Sequence, residues 1–221
     1  MDKIQAFIFD MDGTIVETNQ DICDAVNYSL KYHQLQEISY DECKGYLGNG
    51  SVKLIHRAMH FQHDEMFQSV FDVYYDYYLK NFVNKTKPYD GIVSSLEYAK
   101  QKGIKLFVYT NKPEKIASVI VNHLFGNDFF TKLVGIPLGG EVKPSVISFL
   151  NATKEFNLDY SKVYYFGDST TDIETAYNLH VKKMISVLWG YQSKKILLSY
   201  SKKPNLLLEN PFEIKKLIDN Q

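Results

Sequence analysis

Cysteine, proline and tryptophan are scarce in this chain: 2, 6 and 1 in 221 residues. Two thiols, Cys23 and Cys43, could in principle pair, but they make no disulfide framework, so a reduced, cytosolic protein is expected. No window approaches the roughly 20 apolar residues that span a bilayer. The apolar run at the N-terminus is cut by Asp10 and Asp12 before a signal-peptide core can form, so no signal peptide is expected. An excess of either charge is missing too. Lys and Arg number 25 against 26 Asp and Glu, a formal charge of -1, which removes the electrostatic case for a nucleic-acid partner or an anionic membrane. Internal repeats and low-complexity segments are absent. What remains is a chain with 45% hydrophobic residues, able to bury a sizeable core as one domain or as one domain carrying an insertion.

The most informative stretch is Phe7-Ile8-Phe9-Asp10-Met11-Asp12-Gly13-Thr14. Ile4 to Phe9 is β-branched and aromatic with hardly a polar side chain, the pattern of a strand buried on both faces. It runs directly into two carboxylates. Ligands of open α/β sheets bind at the carboxyl ends of strands, and carboxylates buried there require a cation or hydrogen bonds. Gly13 frees the backbone to turn just after them. A metal-assisted reaction at Asp10 and Asp12 is the first expectation.

From about Asn19 to Asn84 the periodicity is helical. One helix is expected over Asp21–Tyr32, a second from the capping-box pair Ser39 and Glu42, a third capped by Ser51 through Met59, and a fourth capped by Asp64 to about Phe82. Strands and helices then alternate. Helices are expected at Gly91–Gln101, Pro113–Leu124, Pro144–Phe156 and Thr171–Leu179, with a last one opening at Asn210-Pro211. Strands are expected at Ile104–Tyr109, Leu133–Ile136, Val163–Phe166 and Met184–Leu188. That alternation implies a parallel sheet with right-handed crossovers. The expected fold is α/β, a Rossmann-like three-layer core formed by 1–16 and 85–221, with an all-α cap, 17–84, inserted after the first strand.

Four polar clusters fall at strand ends or helix starts: Asp10/Asp12, Thr110-Asn111, Lys143-Pro144 and Gly167-Asp168-Ser169-Thr170-Thr171-Asp172. Strand ends of a parallel sheet converge on one rim, so these groups can meet. Four carboxylates, a lysine, a hydroxyl and backbone N–H groups suit a phosphoryl group and Mg²⁺, which prefers hard oxygen ligands. Taken singly, each has a plainer reading. Asp12-Gly13 would more often be a turn, Asp168 and Asp172 helix N-terminal acids, Lys143 a solvated lysine and Thr110 a helix cap. Four independent turn and cap choices have no reason to recur in this order.

Together the clusters resemble the signature motifs of the haloacid dehalogenase superfamily of phosphohydrolases. Asp10-Met11-Asp12-Gly13-Thr14, Gly48-Asn49-Gly50, Thr110-Asn111-Lys112-Pro113 and Gly167-Asp168 through Asp172 resemble its phosphoglycolate phosphatase-like group, which carries an α-helical cap. The resemblance implies that Asp10 is the nucleophile and Asp12 the acid and base. It implies that Thr110 and the backbone at Gly13 and Asn111 hold phosphate, and that Lys143 neutralises the transferring group. Asp168, with Asp10 and the Asp12 carbonyl, would hold Mg²⁺, with Asp172 supporting. The partner implied is a small phosphorylated metabolite. In the cap, Asn49, Lys53 and Arg57 are the candidates for reading the leaving group, and Lys53 or Arg57 could meet a substrate carboxylate. Glu17-Thr18 and Lys143-Pro144-Ser145 depart from the group's usual Asp-Ser and Lys-Pro-Asp-Pro, which weakens transfer of a particular substrate.

Three rivals remain. A phosphomutase of the β-phosphoglucomutase kind would share fold, cap and nucleophile. A dehalogenase would have no use for Asp12 or the metal. A non-catalytic binding protein on this scaffold is argued against by the presence of Asp10, Asp12 and Lys143. His56, His60 and His63 are expected to be surface or cap-core histidines, and Phe71, Tyr74, Tyr75, Tyr77 and Tyr78 to pack inside the cap.

Overall fold

The structure, a computed structural model, describes residues 3–48, 50–136 and 140–220. The chain divides into two compact units, Met1–Val16 with Pro88–Gln221, and Glu17–Lys87. In chain order the elements are β1 (Ala6–Phe9), β2 (Val16–Glu17), α1 (Asn19–Tyr32), α2 (Tyr40–Tyr46), α3 (Ser51–Ala58), α4 (Phe67–Asn81) and β3 (Lys87–Pro88). There follow α5 (Ile92–Gln101), β4 (Lys105–Pro113), α6 (Glu114–Phe125), β5 (Lys132–Ile136) and α7 (Ile147–Thr153). The chain closes with β6 (Val163–Gly167), α8 (Thr170–Asn178), β7 (Lys183–Val187), α9 (Lys194–Ser199), β8 (Leu206–Leu208) and α10 (Glu213–Asp219).

The first unit is built on a six-stranded parallel sheet of order β5-β4-β1-β6-β7-β8. β1 lies inside it, between β4 and β6, which is why every side chain from Ala6 to Phe9 is buried. Alternate residues serve opposite faces. Ala6 and Ile8 join Phe107, Tyr109, Phe149, Tyr165 and Ile173 in one core, under α7 and α8. Phe7 and Phe9 point the other way and stack with Tyr164 and Phe166. Burial of aromatic side chains on both faces is the main stabilisation of the sheet, at about 25 cal/mol per Å² of apolar surface removed from water.

The second unit is all-helical apart from the paired segments β2 and β3, where the chain leaves and re-enters the first unit. α1 packs on α4, with Tyr28 stacked on Tyr77 at 4.1 Å and Tyr74 and Tyr78 buried. Asp21, buried in α1, accepts hydrogen bonds from the backbone N–H groups of Lys85 and Thr86 and from the Thr86 hydroxyl. Those bonds tie Lys85 and Thr86 to this unit, which runs to Lys87, three residues beyond the expected boundary. Cys23 and Cys43 are bonded to each other, with Cα atoms 5.9 Å apart. This overturns the expectation of free thiols: α1 and α2 pack against each other with both cysteines facing inward. None of the described helices is long and apolar enough to cross a membrane.

Several helix starts differ from expectation. The Ser39/Glu42 capping box is present, but Gly50 (φ 85°) occupies the N-cap before α3, leaving Ser51 inside the helix. Asp64 opens a short 3₁₀ turn without capping it, and α4 begins at Phe67. Lys143-Pro144 forms a turn with a cis peptide, and α7 starts at Ile147. The short β8 and α9 lay outside the expected elements.

Candidate active site

The carboxyl edge of the sheet is where the polar clusters meet. β1 ends in Asp10, whose Oδ1 accepts the Met11 N–H at 2.7 Å and lies 2.8 Å from Lys143 Nζ. Among the described residues no hydrogen bond or ion pair reaches its other oxygen, Oδ2. The turn that follows is held by Thr14 N–H to Met11 O and Gly13 N–H to Val16 O. Gly13 has φ 81°, and a Cβ there would collide with the Asp168 carboxylate, so glycine is required for two separate reasons.

Lys143 is almost completely buried, and its ammonium is saturated by acids. It lies 2.7 Å from Asp172 Oδ1 as well as 2.8 Å from Asp10, and donates to the Tyr165 hydroxyl at 3.4 Å. Its backbone N–H donates to Asn111 Oδ1 at 2.7 Å, which fastens the lysine's loop to the end of β4. Burial alone would lower the Lys143 pKa, but the charges of Asp10 and Asp172 outweigh it and hold the ammonium firmly protonated.

Asp172 has two jobs. Its Oδ1 takes Lys143 and the Tyr165 hydroxyl, while Oδ2 accepts the Ser169 N–H and hydroxyl in a capping box that starts α8. The helix-capping geometry expected of this acid is present, and its other oxygen ties the start of α8 to Lys143. Asp168 is buried, and its Oδ2 accepts the Tyr191 N–H at 2.6 Å. Burial first, and then the charges of Asp172 and Asp10, push its pKa well above the ordinary carboxylate range. Gly190 has no room for a Cβ, which would overlap both Asp168 and the Gly13 carbonyl. Trp189 Nε1 donates to Thr14 O at 3.0 Å and pins the same loop to the β1 turn.

Thr110 is buried at the end of the regular part of β4, and its hydroxyl accepts the Lys112 N–H at 3.2 Å. Lys112 itself reaches back across the rim, with Nζ 3.1 Å from both oxygens of Asp12. Its side chain is 5% exposed and that of Asp12 22%. The sequence signal for this pair was weak, since its members stand 100 residues apart. Tyr165, Gly190 and Tyr191 are likewise parts of the site that periodicity alone does not single out. Tyr165 carries the one hint, a phenol in an apolar strand whose hydroxyl needs a partner.

Asp10, Asp12, Gly13, Thr110, Asn111, Lys143, Asp168 and Asp172 thus share one rim of the first unit. The three cap candidates belong to the second. Asn49 lies outside the described residues. Lys53 is exposed on α3, and Arg57 donates to the Tyr46 carbonyl at 2.8 Å, closing the end of α2. His56 stacks on Phe67 at 4.0 Å and sits 3.8 Å from Asp64, a carboxylate neighbour that the sequence reading did not give it.

Oxygens of Asp10, Asp168 and Asp172 lie within 4.8 Å of one another and could hold a divalent cation. Both oxygens of Asp172 are already engaged, so Asp10 and Asp168 are the better donors, with Asp172 positioning the lysine beside them. The strain of packing these acids together is visible in Asp10. Burial and the Asp172 charge, opposed by Lys143, push it up to about 7. The folded chain therefore binds more protons than the unfolded chain between the ordinary carboxylate value of 3.8 and about 7, and stability must fall as pH rises through that window. The melting temperature of chelator-treated protein is expected to drop between about pH 5 and about pH 8, and Asp10→Asn to remove much of the drop. A flat profile in the unsubstituted protein would refute this.

Fold and site together define an α/β enzyme that gathers carboxylates and a buried lysine at its strand ends. Comparison with known proteins agrees. The sequence profile of the haloacid dehalogenase-like hydrolases matches residues 7–186. A phosphoglycolate phosphatase of Aquifex aeolicus is 32% identical over 98% of both chains, and one of Psychrobacter arcticus is 30% identical over 86% of both. A crystal structure from Lactobacillus delbrueckii subsp. bulgaricus, of a candidate phosphoglycolate phosphatase, superposes with a TM-score of 0.91 at 28% identity, covering 98% of this chain and 99% of the other. The chain belongs to the haloacid dehalogenase-like hydrolase family and is an enzyme, a phosphatase-type hydrolase.

Proposed function

We propose that this enzyme hydrolyses a small phosphate monoester with Mg²⁺, through an aspartyl-phosphate on Asp10, and that phosphoglycolate is its nearest candidate substrate. The observation that carries the reading is the state of Asp10. One oxygen is held by Lys143 and the Met11 N–H, while the other faces no partner among the described residues, which supports its use as the attacking atom. The all-oxygen donor set of Asp10, Asp168 and the Asp12 carbonyl suits Mg²⁺ better than a softer metal. Bound there, the ion would supply charge neutralisation for the phosphoryl oxygens.

The chain's own groups divide the remaining work. Asp10 forms a bond to phosphorus as the bond to the leaving oxygen breaks, and Asp12 gives that oxygen its proton. In the second step Asp12 takes a proton from water, the water oxygen bonds to phosphorus, and the Asp10–phosphorus bond breaks. Lys143 offsets the negative charge that gathers on the transferring group. Thr110 and the backbone at Gly13 and Asn111 orient it.

Phosphate release should be measured with Mg²⁺ over a panel of phosphoglycolate, sugar phosphates, nucleotides and pyrophosphate, beside a chelator control. Release that requires Mg²⁺ and is fastest for phosphoglycolate is expected. No release from any member by folded protein would sink the reading, and interconversion of sugar phosphates in its place would make the enzyme a mutase.

A further inference from the structure

We propose that Lys112 is the residue that selects the substrate, by turning from Asp12 to bind a second anionic group one carbon beyond the bridging oxygen of the phosphate ester. The inference rests on the phosphatase reading and adds to it the residue that would read the carboxylate of a substrate such as phosphoglycolate. Asp12 must approach the leaving oxygen to within hydrogen-bond distance, about 2.6–3.2 Å. Lys112 Nζ lies 3.1 Å from each Asp12 oxygen. The leaving oxygen therefore falls within about 6 Å of the ammonium, whichever Asp12 oxygen it meets. A carboxylate attached through a single methylene comes within reach of a lysine on its flexible four-carbon stem.

Burial argues in the same direction. The Lys112 side chain is 5% exposed while Asp12 is 22% exposed, so the pair is approached from the Asp12 side, where the leaving group must stand. Lys143, the other buried lysine of the rim, is committed between Asp10 and Asp172 on the phosphoryl side. Lys112 is thus the ammonium on the leaving-group side of the first unit. The Lys112 N–H bond to the Thr110 hydroxyl holds its backbone beside the proposed phosphate seat, so phosphate and second anion would be gripped from one three-residue segment. In the second unit, the rival cations are differently placed: Arg57 closes α2 and Lys53 is exposed.

The test compares 2-phosphoglycolate with ethyl phosphate, which has the same skeleton with a methyl in place of the carboxylate. kcat/KM for each is measured in the unsubstituted enzyme, Lys112→Met, Lys112→Arg and Lys53→Met. Any loss common to both substrates reports disturbance of Asp12. The preference for 2-phosphoglycolate is expected to fall more than tenfold in Lys112→Met, chiefly through KM, to recover in part in Lys112→Arg, and to persist in Lys53→Met. Equal losses on both substrates would overturn the proposal and leave Lys112 as a positioning residue for Asp12. Loss of the preference in Lys53→Met alone would overturn it in favour of the cap. If the unsubstituted enzyme turns over neither ester, phosphoglycolate is not its substrate, and calorimetric binding of the same two esters then decides the inference. A binding preference that collapses in Lys112→Met sustains it, and one that is absent or unchanged ends it.

Discussion

If Asp10 is the nucleophile as proposed, Asp10→Asn should abolish phosphate release, lowering kcat by at least about 10⁴-fold while leaving the fold intact, because its shape is kept. The amide fills the same space at the end of β1 but cannot form an acyl phosphate. Stability should move the other way. Asp10 is a buried acid pushed up to about 7, so above neutral pH its ionised form weakens the folded state, and the neutral amide relieves that cost. A variant that is inactive yet melts higher than the parent at about pH 8 would establish both points in one preparation. Residual activity within tenfold of the parent would place the nucleophile elsewhere.

Lys143→Met should be the most damaging single substitution to stability at neutral pH. The ammonium lies 2.8 Å from Asp10 and 2.7 Å from Asp172, and all three side chains are buried. Removing one partner of a buried ion pair strands the other, at a cost of about 3–5 kcal/mol. Here two carboxylates are stranded, and Asp10, pushed up to about 7 even beside the lysine, can escape by taking a proton. The loss should therefore shrink in acid, when denaturant unfolding is compared at about pH 5 and about pH 8. Adding Asp10→Asn to Lys143→Met should recover part of the loss, because the two groups share one interaction. A destabilisation below about 1 kcal/mol at both pH values would mean that the cluster tolerates its charges without the lysine.

The sequence made the strand-end acids legible because they interrupt otherwise unbroken apolar runs. Phe9 to Asp10 and Gly167 to Asp168 are abrupt changes of polarity, and a parallel sheet brings such changes to one edge. Lys143 could be found only by its company, since nothing about a lysine before a proline marks it as buried. The pairing of Lys112 with Asp12 was not legible. It depends on how the end of β4 curls past Thr110, where the register with β5 shifts. Gly190 and Tyr191 were missed for a related reason: they act through a space too small for a Cβ and through a backbone N–H, which leave little trace in residue type. The misplaced starts of α3 and α4 show local rules being overridden. Gly50, at positive φ, supplied the turn that Ser51 was expected to make, and the chain before Phe67 tightened into a 3₁₀ turn instead of a capped helix. The cysteine pair needed knowledge of how α1 meets α2.

The paired entry and exit strands of the helical unit bear on how such a chain is put together. Glu17 and Lys87 sit on β2 and β3, which lie side by side, and their side chains approach to 3.6 Å. Seventy-one residues therefore begin and end at almost the same point (87 − 17 + 1). For the sheet, whatever lies between those strands is a loop whose ends are already closed, and lengthening a closed loop adds only about 0.6 kcal/mol per doubling. The insertion point is thus a socket. Helical modules of different size can be exchanged there at small entropic cost to the sheet-bearing unit.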